Sequence, residues 1–275
     1  MRHPRGFVLV NALILVTALA GVAAYLLTRA ETGRQVLAAQ ARVAQLDAHL
    51  DSGEALARAV LERDGQGVDH ATDIWARGPH EARVERGDIV LRLTDLQGRF
   101  NLNRLADPDD TAAPADFDRL LLALDLPPTL GPEIRATMMR DGPVFLMDQI
   151  ALPARLVPFV IALPGSTPLN VNTAPLEVLV AELAGADRNR LGALVDRRAQ
   201  RPFASVTDFY DALDGLLAPE IATAFQDQSR FSVNSQWFAA EIAATLEGRT
   251  AHRDLVILRP ALSQGAVTAY RQDQW

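Results

Sequence analysis

The chain has 275 residues, a formal net charge of −7 and a sequence pI of about 5.3. It contains no cysteine and no lysine, so its 27 basic residues are all arginine. A disulfide framework and a thiolate metal site are excluded, and the acidic balance argues against nucleic acid as the main partner, because phosphate binding needs a basic face.

Phe7 to Leu27 carries no formal charge, with Arg2 and Arg5 before it and Arg29, Glu31 and Arg34 after it. A bilayer core is crossed by about 20 apolar residues in a helix. Positive charge ahead of the span predicts a cytoplasmic N-terminus and places everything after Leu27 outside. The obvious processing point lies before the apolar run, at Gly6–Phe7. The basic leader, Gly6 and the aromatic Phe7 resemble a type IV prepilin leader. That resemblance implies a membrane peptidase that cuts after the glycine and methylates the new N-terminus. A signal anchor of an unrelated single-pass protein shares the same pattern.

The helix is expected to continue past the membrane. Val36, Ala39, Val43, Leu46, Leu50, Gly53, Ala57 and Val60 recur at alternating spacings of three and four, a coiled-coil-like seam. Its small residues favour packing on the protein's own sheet over a dimerising zipper. Asp64-Gly65-Gln66-Gly67 is the expected end of the helix, since glycine caps helices and propagates them poorly. Two blocks then read as strands. Ala82 to Asp95 is broken by a turn at Arg86-Gly87-Asp88, and Ser232 to Thr245 is followed, after Glu247-Gly248-Arg249, by His252 to Leu258. A last short strand uses Ala266 to Tyr270.

Between the strand blocks the period is helical, with Asp116–Leu126, Glu133–Arg140, Pro175–Leu183, Arg188–Arg198 and Val206–Leu213 as expected helices. The expected organisation is a leader (1–6), a membrane helix (7–28), its extramembrane continuation (29–64), a first sheet segment (65–104), a helical insert (105–226) and a C-terminal sheet segment (227–275). That is an α+β fold: a long N-terminal helix packed on an antiparallel sheet, with a large helical domain inserted between strands.

Two short segments carry the identity. One is Asp95-Leu96-Gln97-Gly98-Arg99-Phe100-Asn101-Leu102-Asn103, and the other is Pro168-Leu169-Asn170-Val171-Asn172-Thr173-Ala174-Pro175. With the leader, they resemble the K-type minor pseudopilins of type II secretion, the general secretion pathway protein K family. The resemblance implies a pilin-like fold, I- and J-type minor pseudopilins as partners, a prepilin peptidase acting at Gly6 and Phe7, and an inner-membrane anchor with a periplasmic domain. It further implies a place in the complex at the pseudopilus tip. Asn101 and Asn103 are suited to satisfy turn backbone groups and to tolerate left-handed dihedrals. Asn172 or Thr173 reads as a helix N-cap, with Pro175 in the first turn.

Residues 170–213 are similar to a helix-hairpin-helix unit, including Gly185 at the hairpin and Arg197 and Arg198 at a helix end. Such units contact DNA phosphates through a Gly-x-Gly hairpin; here one glycine stands where two are wanted. Scaffold use is the first reading, and a minor pilin for DNA uptake or type IV pilus assembly is the alternative. Most pilin-like chains carry Glu at the fifth residue after the cut, and this one carries Asn11. A carboxylate in lipid needs a partner, which the family finds in the amine of the subunit above. The loss of Glu implies a subunit with nothing above it; otherwise Asn11 bonds within its own helix.

The resemblance also implies a calcium-binding acidic loop in the insert, yet between Arg140 and Phe145 only Asp141-Gly142-Pro143 remain. The cluster Asp107, Asp109, Asp110, Asp116 and Asp118 has oxygens for a hard cation but no calcium-loop spacing, so a solvated loop is the alternative and no cofactor is expected. His3, His49, His70, His80 and His252 form no His-Glu-x-x-His, and neither Gly-x-Ser-x-Gly nor a phosphate-binding Gly-Lys motif occurs. No enzyme is expected.

Overall fold

The computed structural model describes residues 5–64, 67–145, 150–165, 167–214, 230–260 and 266–271. Arg2, His3, Gly65, Gln66 and the segments 215–229, 261–265 and 272–275 lie outside the described residues. One unbroken helix, α1 (Arg5–Asp64), carries the apolar N-terminal run directly into the amphipathic part. At about 1.5 Å per residue it is roughly 90 Å long. It is the one helix among the described residues long and apolar enough to cross a membrane. The Thr17 and Thr28 hydroxyls donate to the carbonyls of Leu13 and Ala24, each at 2.9 Å, so neither side chain asks a lipid environment for a partner.

The last third of α1 lies on a five-stranded antiparallel sheet of order β1-β2-β7-β8-β9, made of His80–Val84, Gly87–Asp95, Trp237–Leu246, Arg249–Leu258 and Thr268–Arg271. The period of two puts Ile89, Leu91 and Leu93 of β2 and Phe238, Ala240, Ile242 and Ala244 of β7 on the helix side. They bury Leu50, Ala57 and Leu61 of α1, with Trp75 edge-on to Phe238 at 5.2 Å. A Cβ on Gly53 would stand 2.5 Å from Ile242 Cγ2, so this point sets how near helix and sheet approach.

The seam is thus only half used. Leu50 to Val60 meets the sheet, whereas Val36, Leu37 and Val43 stay 50%, 67% and 59% exposed. Ten-residue strands span about 33 Å, which covers roughly 20 helical residues and no more.

Between β2 and β7 the chain builds a second core. Its helices are α2 (Ala113–Ala123), α3 (Leu130–Asp141), α4 (Leu176–Glu182), α5 (Arg188–Gln200) and α6 (Val206–Leu213). Phe100, Phe117, Leu120, Leu121, Met138, Leu179 and Phe209 pack at its centre. α2 and α3 each begin three residues before the apolar period does. A third patch, Leu96, Ile161, Leu163 and Val256 with Phe145 and Trp237, seats the insert on the opposite face of the sheet.

The strands too differ from the pattern reading. The first hairpin turns at Glu85-Arg86, with Arg86 at φ 64°, and Gly87 already belongs to β2. Its glycine is required by proximity, because a Cβ there would stand 1.8 Å from the Thr245 carbonyl oxygen. The block Ser232–Thr245 is two elements: β6 (Phe231–Ser232) pairs in parallel with β5 (Leu169–Asn170), and β7 begins only at Trp237. A second two-residue ladder joins β3 (Phe100–Asn101) to β4 (Val160–Ile161). Strands this short show no alternation to read.

Gly87→Ala is expected to destabilise the full chain by about 1–3 kcal/mol, since the neighbour it meets is backbone. Gly33→Ala, with open space around it, should be neutral or slightly stabilising. Chemical denaturation of both variants checks the pair.

Candidate functional site

The insert leaves the sheet and returns to it at one buried point. The Asp95 carboxylate, at the end of β2, accepts from the Thr173 hydroxyl at 2.5 Å, the Ser235 hydroxyl at 2.7 Å and the Asn170 amide at 3.0 Å through Oδ2. Its Oδ1 accepts the Gln97 backbone N–H at 2.8 Å. Burial pushes the Asp95 carboxyl up from its ordinary range, and these four donors oppose that shift. Beside it Arg259 donates to both oxygens of Asp69, at 2.6 and 2.5 Å, and lies over the Phe238 ring at 4.8 Å. Asp69 also accepts the Ser235 N–H at 2.7 Å. Gln97 accepts the N–H groups of Gln236 and Trp237 and donates to the Pro168 carbonyl.

The two Asn-x-Asn motifs are matching clamps. Asn101 Oδ1 accepts the Asn103 N–H at 3.1 Å and the Leu163 N–H at 3.0 Å, while its amide donates to the carbonyls of Leu163 and Gly165. Asn103 pairs both ways with the Val144 backbone, accepting at 2.9 Å and donating at 2.6 Å. Asn170 Oδ1 accepts the Asn172 N–H at 2.9 Å, and Asn172 pairs both ways with the Phe203 backbone at 2.9 and 3.0 Å. In each motif the first asparagine shapes the local turn and also bonds a segment more than 60 residues away, and the second fastens a segment some 30–40 residues away.

These geometries correct two expectations. Asn101 is extended, at φ −81°, and the left-handed non-glycine residues among those described are Arg86, Asp125 and Glu247. The N-cap of α4 is Pro175 itself, with no side-chain cap. Asn172 and Thr173 are drawn away from that role because their side chains are committed to Phe203 and Asp95. Gly98 is needed by contact: a Cβ there would stand 2.8 Å from Thr173 Oγ1.

In the helix-hairpin-helix-like stretch, Arg198 is turned inward. It is 9% exposed and its guanidinium donates to the carbonyls of Val171 and Ala174. Burial lowers its pKa to about 10, and phosphate contact would break both bonds. The basic helix end therefore fastens the second Asn motif to α5.

A charge cluster closes the other side of the insert. Arg104, from the turn after Asn103, donates to Asp110 at 2.7 Å, to Glu182 at 2.5 Å and to Asp116 at 3.0 Å. Arg230 donates to Glu182 at 2.9 and 2.6 Å and to Asp116, which also receives Arg119. The side chains of Asp116 and Glu182 are 2% exposed, and Arg104 lies over the Phe100 ring at 5.1 Å. A cavity of about 350 Å³ opens beside the cluster, lined among others by Arg99, Arg104, Asp110, Glu182 and Arg230. Burial and the neighbouring Glu182 raise the Asp116 carboxyl to about 6, against Arg230 and Arg104.

Gly6, Phe7 and Asn11 lie at the far end of α1, and the asparagines at the junction. The described histidines occupy separate places, His49 in α1, His70 in the following loop, His80 in β1 and His252 in β8. Pattern reading missed Asp69, Ser235, Arg259, Arg104, Glu182 and Arg230. Their side-chain hydrogen bonds reach 24 to 190 residues away in all but the Arg104–Asp110 and Arg104–Asp116 pairs, and no local motif announces them.

Comparison with known proteins bears on this architecture. The profile of the family "Type II secretion system (T2SS), protein K" matches residues 169–234, from β5 and the second Asn motif to the return of the insert. The type II secretion system protein K of Pseudomonas aeruginosa is 31% identical over 258 residues, covering 76% of each chain. A chain in the crystal structure of the GspK-GspI-GspJ complex of the enterotoxigenic Escherichia coli type 2 secretion system has the same fold. Its TM-score is 0.66 at 20% identity, covering 85% of this chain and 98% of that one.

The raised Asp116 carboxyl has a definite sign. Its contribution to stability is complete below the unfolded value near 3.8 and is lost as pH rises through about 6. Arg119, Arg104, Asp110, Glu182 and Arg230 are the charged groups that face it. Thermal melts between pH 5 and 7 should show Asp116→Asn losing part of the wild-type rise in stability on acidification. Equal slopes for the two proteins would refute the assignment.

Proposed function

The chain belongs to the type II secretion system protein K family, and we propose that this minor pseudopilin closes the pseudopilus tip on an I–J pair of minor pseudopilins. The observation that carries the reading is the fusion of two bodies of different reach. The apolar side chains Val36, Leu37 and Val43 of the α1 stalk stand exposed, although Arg42 between them reaches Glu247 in the turn between β7 and β8, which leaves apolar helix surface for neighbouring stalks. The insert is a domain of roughly 30 Å across by its length, whereas packed helices lie only about 10 Å apart, axis to axis. Such a domain cannot repeat along a thin fibre without collision, but it fits once, at the end.

Asn11 supports the same position, since a tip subunit offers no amine above it for a carboxylate to neutralise. In this reading the leader is cut between Gly6 and Phe7 by the prepilin peptidase, and Phe7 becomes N-methylated. The anchor sits in the inner membrane with its N-terminus cytoplasmic and the folded domain periplasmic. The role is assembly rather than catalysis. DNA uptake is the weaker reading, because Arg198 is committed to internal carbonyls and the net charge is −7.

The full chain, co-expressed with the peptidase and the cognate I and J pseudopilins and extracted in detergent, should co-purify with the pair. Its intact mass should correspond to a chain beginning at N-methylated Phe7. Failure of folded protein to associate at tens of micromolar would count against the tip role, and a mature form starting at Met1 against the pilin-like processing.

A further inference from the structure

The family resemblance implies calcium in the inserted domain, and the carboxylates of this chain can be tested for it. At the end of α3, Asp141 is exposed and held by Arg140 at 2.9 and 3.2 Å. It is one carboxylate where a hard cation takes six to eight oxygens. Asp107, Asp109 and Asp118 are exposed, and Asp107 already accepts the Asp109 N–H. Asp110, Asp116 and Glu182 do converge, but every one of their six oxygens accepts a hydrogen bond from arginine. Nearer the sheet, Asp64, Asp69 and Asp73 stand together, with Arg259 on Asp69 and His70 against Asp73. The one converging donor set inside the insert does not fit a calcium ion: its oxygens face guanidinium groups that would repel it.

We propose that the Arg104 guanidinium does in this insert what a structural metal ion would do, binding together segments that no continuous secondary structure joins. Arg104 reaches Asp110 in the loop before α2, Asp116 in α2 and Glu182 in α4 with one planar fork. Arg230, entering β6, and Arg119 complete the set, so three cations balance three carboxylates. A guanidinium suits this place because its five donors are rigidly spread and it is weakly hydrated. Phe100, itself against Phe117 at 5.5 Å, holds the fork from one side. A metal site needs loops that wrap oxygens around a point; a fork needs only side chains arriving in its plane. The insert can therefore dispense with a calcium loop and keep its fold when the metal supply falls.

The test uses the full chain in detergent, melted in about 1 mM calcium and in about 1 mM chelator. The wild-type melting temperatures should agree within about 2 °C, with no calcium binding by calorimetry tighter than about millimolar. Arg104→Gln leaves the carboxylates facing each other and should lower the melting temperature by roughly 10 °C. Should that variant fail to fold, Arg104→Lys keeps the charge without the fork and should still melt several degrees below wild type. A calcium-dependent rise of about 5 °C or more in the wild type would overturn the proposal. So would an Arg104→Lys variant as stable as wild type.

Discussion

Everything beyond the sheet depends on how a chain can leave one strand, build a domain and rejoin the next strand without losing register. The Asp95 junction meets that constraint. β2 ends on Asp95, and the donors that satisfy it come from both ends of the insert's return: Asn170 and Thr173 before α4, Ser235 before β7. A buried carboxylate is costly unless its lone pairs are used, and hydrogen bonds to charged groups contribute about 1.5–3 kcal/mol each. Removing any one donor therefore leaves the buried carboxylate to bear part of that cost. Arg259 and Asp69 extend the same network to the loop after α1 and to the end of β8. The stalk, the sheet and the insert meet at this place.

The mechanical consequence follows from position. α1 transmits membrane anchoring to the sheet through Leu50, Gly53, Ala57 and Leu61, where close contact leaves no room for sliding. The sheet in turn holds the insert through the junction on its end and the Leu96–Ile161–Leu163–Val256 patch on its outer face. Two attachments at different places resist rotation as well as separation. A subunit that has to stand at the end of a growing fibre and meet whatever lies ahead gains from such stiffness. The charge cluster around Arg104 adds to it inside the insert, tying α2 to α4.

Much of this was legible in the residues. The charge-free run, the seam and the alternation in Ile89-Val90-Leu91-Arg92-Leu93 report single periods, and single periods survive in a sequence. The family motifs were legible as signatures but not as clamps. Nothing local distinguishes an asparagine that caps a helix from one that fastens Phe203, and the competition was settled by contacts 31 residues away. The two-residue ladders carry too few side chains to show a period. The upper half of the seam misled because its spacing is that of a packed helix, yet Val36 and Val43 lie beyond the reach of the sheet's helix-side core. Scaffold use was the first reading of the stretch that holds Arg198, but nothing in the sequence separates it from its neighbour Arg197, and only the fold reveals that it turns inward.

The central claim is that the sheet and the insert form one cooperative body through the Asp95 junction. Native-state hydrogen exchange on the full chain tests this most directly, by comparing the amide of Ile242 in β7 with that of Leu179 in α4. The expected result is a shared opening free energy, equal to global unfolding for both. An α4 amide that exchanges through a separate opening, lower by about 2 kcal/mol or more, would contradict it.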